Sequence, residues 1–326
     1  MKEDFNCLGL ESTAHTLGIA ILKDNKFLAN ETHSYSNPSG GIHPTEAALH
    51  HKTQKDILLE QTLKKAALTM KDINLIAVSN APGLSPCLLI GLNFAKDLAK
   101  KYNIPIIGVN HCIAHLEIGK LVTEAKDPVL LYASGANTQI IAFEAGKYRI
   151  FGETLDMGIG NFIDTFARQL GIGFPGGPKI QELAEKSNNY IELPYAVKGM
   201  DVSFSGMLTN LKQKERTEEK EDLAFSAQET AFAMLIEVAE RAMAHCNKQE
   251  LLLGGGVCCN KRLQEMAKIM CKERNASCFI PENQYLSDNA AMIAYSGLLK
   301  YNSKGPDSLE NLDILPYQRT DQVEIA

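Results

Sequence analysis

Apolar runs bounded by polar turns alternate with longer stretches of helical periodicity along the chain, and this alternation predicts an α/β fold. The first apolar run, residues 7–10, is followed by the polar segment Glu11-Ser12-Thr13-Ala14-His15-Thr16 and a second apolar run at 17–22, a pattern that predicts a hairpin. A helical pattern covers 45–70 and a strand follows at 75–78. Gly83-Leu84-Ser85-Pro86 breaks the chain before a helix at about 88–101. A strand at 106–109 then leads into a helix that Asn110 is suited to cap.

After Pro128 the pattern restarts. A strand at 129–133 runs into the turn Ser134-Gly135-Ala136-Asn137-Thr138 and returns at 140–143. Helices are expected at about 161–170, 179–186 and 223–247, then a strand at 251–253, the turn Gly254-Gly255-Gly256, a helix at 261–274 and a last helix near 289–301. The two hairpins share the order apolar strand, small polar turn containing Thr, apolar strand, which is a weak internal repeat. The expected architecture is therefore two duplicated α/β lobes around a central cleft, by analogy with the actin-like and Hsp70-like ATPase superfold. The N-terminal lobe takes 1–125 and the C-terminal lobe 126–326, with room for the last helix and polar tail to pack back on the N-terminal lobe.

Composition narrows the class. An apolar fraction of 45% with 22% charged residues is that of an ordinary globular protein. The opening MKEDFNCLGL carries acids where a signal peptide needs a basic and then apolar run, and no apolar stretch nears the ~18 residues of a membrane span, so a cytoplasmic protein is expected. Eight cysteines without a C-x-x-C fit reduced thiols, mostly acting as small buried hydrophobes. A net charge of −6 argues against a large basic surface that binds nucleic acid unaided, and neither DNA nor membrane is an expected partner. The mixed charge run at 212–222 reads as a solvated helix end or loop.

His111 and His115 carry the most pointed chemistry. Four residues apart on a helix, they project from one face and form half of a metal site that needs an oxygen ligand from elsewhere. Cys112, Ile113 and Ala114 separate them, so the glutamate that a zinc peptidase places after its first histidine is missing. Asp288 opens the final helix, where an N-cap and a metal ligand are both open readings, and Tyr132 at its strand end reads as a core tyrosine or a site residue. The turns at 11–15 and 134–138 can offer backbone N–H groups to phosphate, or simply close hairpins. Gly254-Gly255-Gly256 would let a ligand approach the backbone, with Asn260 one turn on to hydrogen-bond it. His50 and His51 are adjacent on a helix and are expected to point apart, and His245 near a helix end complements the dipole.

NHCIAHLEIG, LYASGANTQ, FGETLDMGIGN, FPGGPKIQELA, YAVKGMDVSFSG, GGGVCCNKRLQEM and SDNAAMIA, in this order over nearly the whole chain, resemble the tRNA threonylcarbamoyl-adenosine transferases, once labelled O-sialoglycoprotein endopeptidases. Tyr132 before Ser-Gly, Asn137 in the turn and the closing Arg319-Thr320-Asp321-Gln322-Val323-Glu324 look like the archaeal and eukaryotic branch, the catalytic subunit of the KEOPS complex. The resemblance implies an actin-like fold and an acyltransferase. Its reaction moves a threonylcarbamoyl group from threonylcarbamoyl-adenylate to N6 of adenosine-37 in tRNAs that read codons beginning with A. It also implies metal ligands at His111, His115, Tyr132 and Asp288, usually for iron, although imidazoles beside hard oxygens suit zinc as well. Tyr132, Ala133, Ser134, Gly135, Ala136, Asp164, Gly177, Gln181 and Asn260 match adenylate-binding positions, and Glu11 is the candidate acidic group near the reacting centre. The implied partners are tRNA, a small protein kinase and a dimerising subunit, from which an acidic chain would borrow positive surface.

Several positions depart from the family pattern. Ala136 and Ala290 stand for glycines, Gln181 for a glutamate, His15 for an acid and Leu89 for an arginine, and Asn80-Ala81-Pro82-Gly83-Leu84-Ser85 replaces a Gln-Gly-Pro-Gly-Leu-Gly pattern. An alanine is harmless at negative φ and costly at positive φ, so Ala136 marks either a turn that never needed glycine or one that binds phosphate less closely. Two other classes stay open on these changes: a non-catalytic nucleotide-binding scaffold subunit, and an actin-like small-molecule kinase.

Overall fold

The computed structural model describes residues 5–37 and 41–323; Glu324 of the closing motif lies outside them. The chain forms two compact units, one made of Met1–Tyr35, Ile42–Ile118 and Asp288–Ala326, the other of Ser36–Gly41 and Gly119–Ser287.

The first unit is built on a five-stranded sheet. Its elements in order are β1 (Asn6–Glu11), β2 (Thr16–Lys23), β3 (Lys26–Ser34), α1 (Pro44–Ala66), β4 (Leu75–Ala81), α2 (Ser85–Tyr102), β5 (Ile106–Asn110) and α3 (His111–Val122). The strand order is β3-β2-β1-β4-β5, antiparallel from β3 to β1 and parallel from β1 through β5. Every residue of β1, β4 and β5 is buried, which is why these strands read as unbroken apolar runs rather than alternating ones. The β2–β3 turn is Asp24-Asn25, with φ of 45° and 64°, the two left-handed residues that a tight hairpin requires.

In the second unit come β6 (Val129–Ala133), β7 (Thr138–Glu144), β8 (Lys147–Glu153), α4 (Ile159–Gln169), α5 (Gly177–Ala184), β9 (Val197–Lys198), β10 (Asp201–Val202), α6 (Ser205–Lys214), α7 (Lys220–His245), β11 (Glu250–Gly254), α8 (Lys261–Glu273), β12 (Ser277–Phe279) and α9 (Asn283–Leu286). Its sheet runs β12-β11-β6-β7-β8, with β6, β7 and β8 antiparallel and β6, β11 and β12 parallel. Read outward from β1 and from β6, the two sheets have the same topology, so the weak repeat of the two hairpins is a duplication of the whole sheet. The core gathers around the long helix α7, with Phe162 and Phe204 ring to ring at 5.5 Å. Fully burying such side chains contributes ~2–3 kcal/mol each.

The chain closes with α10 (Ala290–Lys304), which packs on β1, β2 and β4 of the first unit. The following tail runs along the edge of that sheet. Asp307 accepts from the Gly108 N–H and Lys300 Nζ, at 2.8 Å each, and Asn80 donates from Nδ2 to the Asp313 carbonyl at 2.8 Å. Asn80, one of the departures from the family pattern, is thus an anchor for the tail.

Differences from expectation have local causes. The helix expected over 45–70 ends at Ala66, where Ala67 turns left-handed at φ 55° and its N–H bonds back to Leu63 and Lys64. No glycine announces that stop. The third strand of each hairpin set, β3 and β8, was not expected, nor were β9, β10, β12 and α6.

Candidate functional site

The parallel strands β1, β4 and β5 bring their carboxyl ends to one edge of the first sheet, where α/β folds place their chemistry. His111 follows β5 directly as the first residue of α3, and His115 lies one turn on. Asn110 caps this helix as expected, its Oδ1 accepting from the N–H groups of Cys112 at 3.0 Å and Ile113 at 3.2 Å. The two imidazole rings stand edge to face with centroids 4.8 Å apart.

Asp288 joins them from the entry to α10. Its Oδ1 is 3.3 Å from His111 Nε2 and 3.4 Å from His115 Nε2. It does not cap the helix. Asn289 does, its side chain accepting from the Met292 N–H at 3.0 Å, while Asp288 Oδ1 faces the two imidazoles. The entry of α10 is held close to β1, where a Cβ on Gly9 would lie 2.3 Å from the Ala290 carbonyl oxygen. Gly18 leaves the room that the Ala290 methyl occupies.

Glu11, fully buried at the end of β1, completes the group. Its Oε2 lies 3.0 Å from His111 Nδ1, and its Oε1 accepts from the Thr13 N–H at 2.7 Å and the Thr13 hydroxyl at 2.5 Å. Both oxygens are therefore engaged. A carboxylate accepts only, so His111 carries a proton on Nδ1 and its Nε2 faces Asp288. Thr13 was not among the expected site residues; two positions after Glu11, it is placed by the turn itself.

The electrostatics of this group call for a cation. Burial alone would lower the His111 pKa, but Glu11 and Asp288 outweigh it and raise it well above the usual imidazole value. Burial lowers His115, only partly opposed by its bond to Asp288. Burial would raise Asp288, yet the charge of His111 beside it holds it well below the ordinary carboxylate range. Two carboxyl groups, one buried at Glu11 and one half-buried at Asp288, thus face the two imidazoles, an arrangement that a divalent ion would balance. His111, His115 and Asp288 offer ligand atoms all within 4.8 Å of one another. The two separations to Asp288, 3.3 and 3.4 Å, match the ~3.4 Å edge of a tetrahedron with 2.0–2.1 Å bonds, and two imidazoles with one carboxylate are a donor set that fits a metal ion.

The remaining expected residues all belong to the second unit. Tyr132 is fully buried on β6, and the turn after it exposes Gly135 and Ala136. The turn is tight, with the Ser134 N–H bonded to the Asn137 carbonyl at 2.9 Å. Ala136 is absent from the described residues with positive φ, so this turn does not need the glycine. Backbone crowds it from two sides. The N–H groups of Gly160 and Asn161 donate to the carbonyls of Ser134 and Gly135, and a Cβ on Gly255, whose φ is +91°, would lie 2.3 Å from the Ala133 oxygen.

Asp164 accepts from the Gly176 N–H at 2.8 Å and so holds the entry of α5, where Gly177 faces open space. Gln181 donates to Glu185 one turn on. Asn260 caps α8 with Oδ1 and donates from Nδ2 to Gln228 at 2.8 Å, so its side chain is largely committed to the fold. Asp156, also unexpected, accepts from the N–H groups of Phe204 and Ser205 and the Ser205 hydroxyl, fixing the start of α6. Leu89 lies exposed on α2.

A profile of the tRNA N6-adenosine threonylcarbamoyltransferase family matches residues 26–295. The chain belongs to this family. A tRNA N6-adenosine threonylcarbamoyltransferase of Thermococcus kodakarensis is 56% identical over 98% of both chains, and one of Methanococcoides burtonii is 49% identical over 98% of this chain and 96% of its own. A probable bifunctional tRNA threonylcarbamoyladenosine biosynthesis protein of Methanothermobacter thermautotrophicus is 49% identical over 98% of this chain and 60% of its own. Among solved structures, nucleotide-bound HypF aligns with a TM-score of 0.65 at 11% identity over 94% of this chain and 48% of its own. The activator of 2-hydroxyisocaproyl-CoA dehydratase from Clostridium difficile aligns at 0.56 and 13% identity over 92% and 97%. These two likenesses concern the fold alone, which is the actin-like α/β fold. No helix among the described residues is long and apolar enough to cross a membrane.

Proposed function

We propose that the chain transfers the threonylcarbamoyl group from threonylcarbamoyl-adenylate to N6 of adenosine-37 in tRNAs reading codons that begin with A. The observation that carries this reading is the group of two buried imidazoles, the buried Glu11 and the half-buried Asp288, in a chain 56% identical to a transferase of that name. His111, His115 and Asp288 hold the metal, iron by the family resemblance. Once bound, the ion supplies Lewis acidity to a carbonyl oxygen. For Tyr132 and the adenylate-binding positions 133–136, 164, 177, 181 and 260 the proposal rests on their motifs.

Glu11 acts as a positioning residue rather than as a base. With its oxygens bonded to Thr13 and His111 and no exposure to solvent, it accepts from His111 Nδ1–H and so makes Nε2, beside Asp288, the ring nitrogen that would serve an ion. The N6 amine attacks the carbamoyl carbon, the bond from that carbon to the phosphate oxygen breaks, and AMP leaves. The amine proton goes to the departing phosphate, the nearest acceptor that the reaction itself provides.

The chain works in the cytoplasm with KEOPS-type partners, a small kinase and a dimerising subunit, whose positive surface complements its net charge of −6 on tRNA. The test supplies labelled threonylcarbamoyl-adenylate, tRNA and partner subunits, then maps the label. Label on adenosine-37 supports the proposal. Indifference to tRNA, with ATP-dependent phosphorylation of a metabolite instead, contradicts it.

A further inference from the structure

In the first unit, His33, His50 and His51 bond to one another through ring nitrogens 2.6 Å and 3.1 Å apart, so the adjacent pair does not point apart as the sequence suggests. The second unit holds a reactive pair of another kind. Cys271, buried in the last turn of α8, and Cys278, half-buried on the edge strand β12, are free thiols that pack on the same core.

Seven residues apart in sequence, the two cysteines meet because the helix stops between them and the chain doubles back. Asn275 turns left-handed at φ 54°, its N–H bonds to the Lys272 carbonyl at 3.1 Å, and the Ala276 N–H reaches the Cys271 carbonyl at 2.8 Å. The Ser277 N–H then bonds to the Gln249 carbonyl at 2.9 Å, and parallel pairing with β11 sets Cys278 opposite Leu251. Backbone bonds thus hold both ends of the short connection. The outcome is that the Cys278 thiol donates a hydrogen bond to the Cys271 sulfur.

That contact separates these thiols from the other cysteines of the second unit. Burial pushes Cys259 up to about 11 and Cys258 up to about 12, as expected of inert core thiols. Cys271 moves the other way, because the bond from Cys278 and the nearby Arg274 guanidinium favour its thiolate. We propose that Cys271 and Cys278 form an oxidation site, which a small hydroperoxide such as hydrogen peroxide converts to an intrachain disulfide. The oxidant enters past the half-buried Cys278. The Cys271 thiolate attacks a peroxide oxygen, the O–O bond breaks, and the departing hydroxide takes the Cys278 proton to become water. The Cys278 thiolate then attacks the sulfenic sulfur of Cys271, the S–O bond breaks, and a second hydroxide leaves. Two electrons pass from the sulfurs to the peroxide, which ends as water and hydroxide. The new bond closes an eight-residue loop and ties the three-residue strand β12 to the end of α8.

The test treats the reduced full chain with equimolar hydrogen peroxide and maps it by mass spectrometry without reductant. Trypsin cuts after Lys272 and Arg274, so the two cysteines fall on separate peptides. Wild type should lose about 2 Da, yield those two peptides joined, melt a few degrees higher than the reduced chain, and revert with dithiothreitol. Cys271→Ser and Cys278→Ser should each lack the joined peptides and the rise in melting temperature. A wild-type chain whose Cys271 and Cys278 stay unlinked, or in which other cysteines link first, would overturn the proposal whether or not either variant folds.

Discussion

Glu11 Oε2 stands 3.0 Å from His111 Nδ1 with both side chains buried, so a residue at the end of one strand fixes which nitrogen a residue at the start of a helix turns toward Asp288. Removing the charge while keeping the shape should weaken the metal without emptying the site of ligands. Glu11→Gln is expected to lower metal affinity about ten- to hundredfold, the usual cost of losing such a supporting partner. Competition against a chelator of known affinity measures it; an affinity equal to wild type would remove Glu11 from this role.

Asp288 and Asn289 divide two jobs that either residue type can do. Asn289→Ala should cost ~1 kcal/mol of stability by removing the cap of α10, with metal retention intact. Asp288→Ala should lose the metal instead. Thermal melting and metal content of both variants, read together, separate the roles, and a loss of metal in Asn289→Ala alone would reverse the assignment.

His51 predicts acid sensitivity. Its pKa is lowered to about 4 chiefly by burial, with the hydrogen bond to Ala14 opposing, so the native side chain stays neutral where the unfolded one, at about 6.5, takes a proton. Protons thus bind preferentially to the unfolded chain. The stability contributed is fully present above pH ~6.5 and falls away as the pH drops toward 4, by about 2 kcal/mol between pH 7 and pH 5. Urea midpoints at those two pH values should converge in His51→Gln, and an undiminished pH effect in that variant would rule the group out.

Gly255→Ala tests the turn after β11. With φ at +91° and a Cβ 2.3 Å from the Ala133 carbonyl oxygen, the substitution should destabilise the second unit by ~1–3 kcal/mol, read from denaturant unfolding. A neutral alanine there would mean that the approach of the two backbones relaxes freely.

What the sequence reveals of this protein depends on how far apart the cooperating residues lie. The histidine pair is legible because four residues on a helix is a local distance. Glu11 is visible as an acid in a turn, but its hold on a ring 100 residues away is set by the parallel pairing of β1, β4 and β5. The choice between Asp288 and Asn289 as cap is invisible for a different reason: both are good caps, and only the path of the chain past Gly9 decides between them. The duplicated hairpins were readable from their apolar runs, whereas β8 was not, because Ala145 takes φ 52° in its turn and alanine gives no sign of that.

The central claim is that the His111, His115 and Asp288 group holds a metal ion required for transfer. The direct measurement is threonylcarbamoyl transfer to tRNA by the chain with its partner subunits, assayed as purified, after metal removal and after return of iron(II), alongside His115→Ala. Transfer should vanish with the metal, return with iron(II) in wild type, and be absent in His115→Ala together with metal retention. Full transfer by the metal-free wild-type chain would contradict the account.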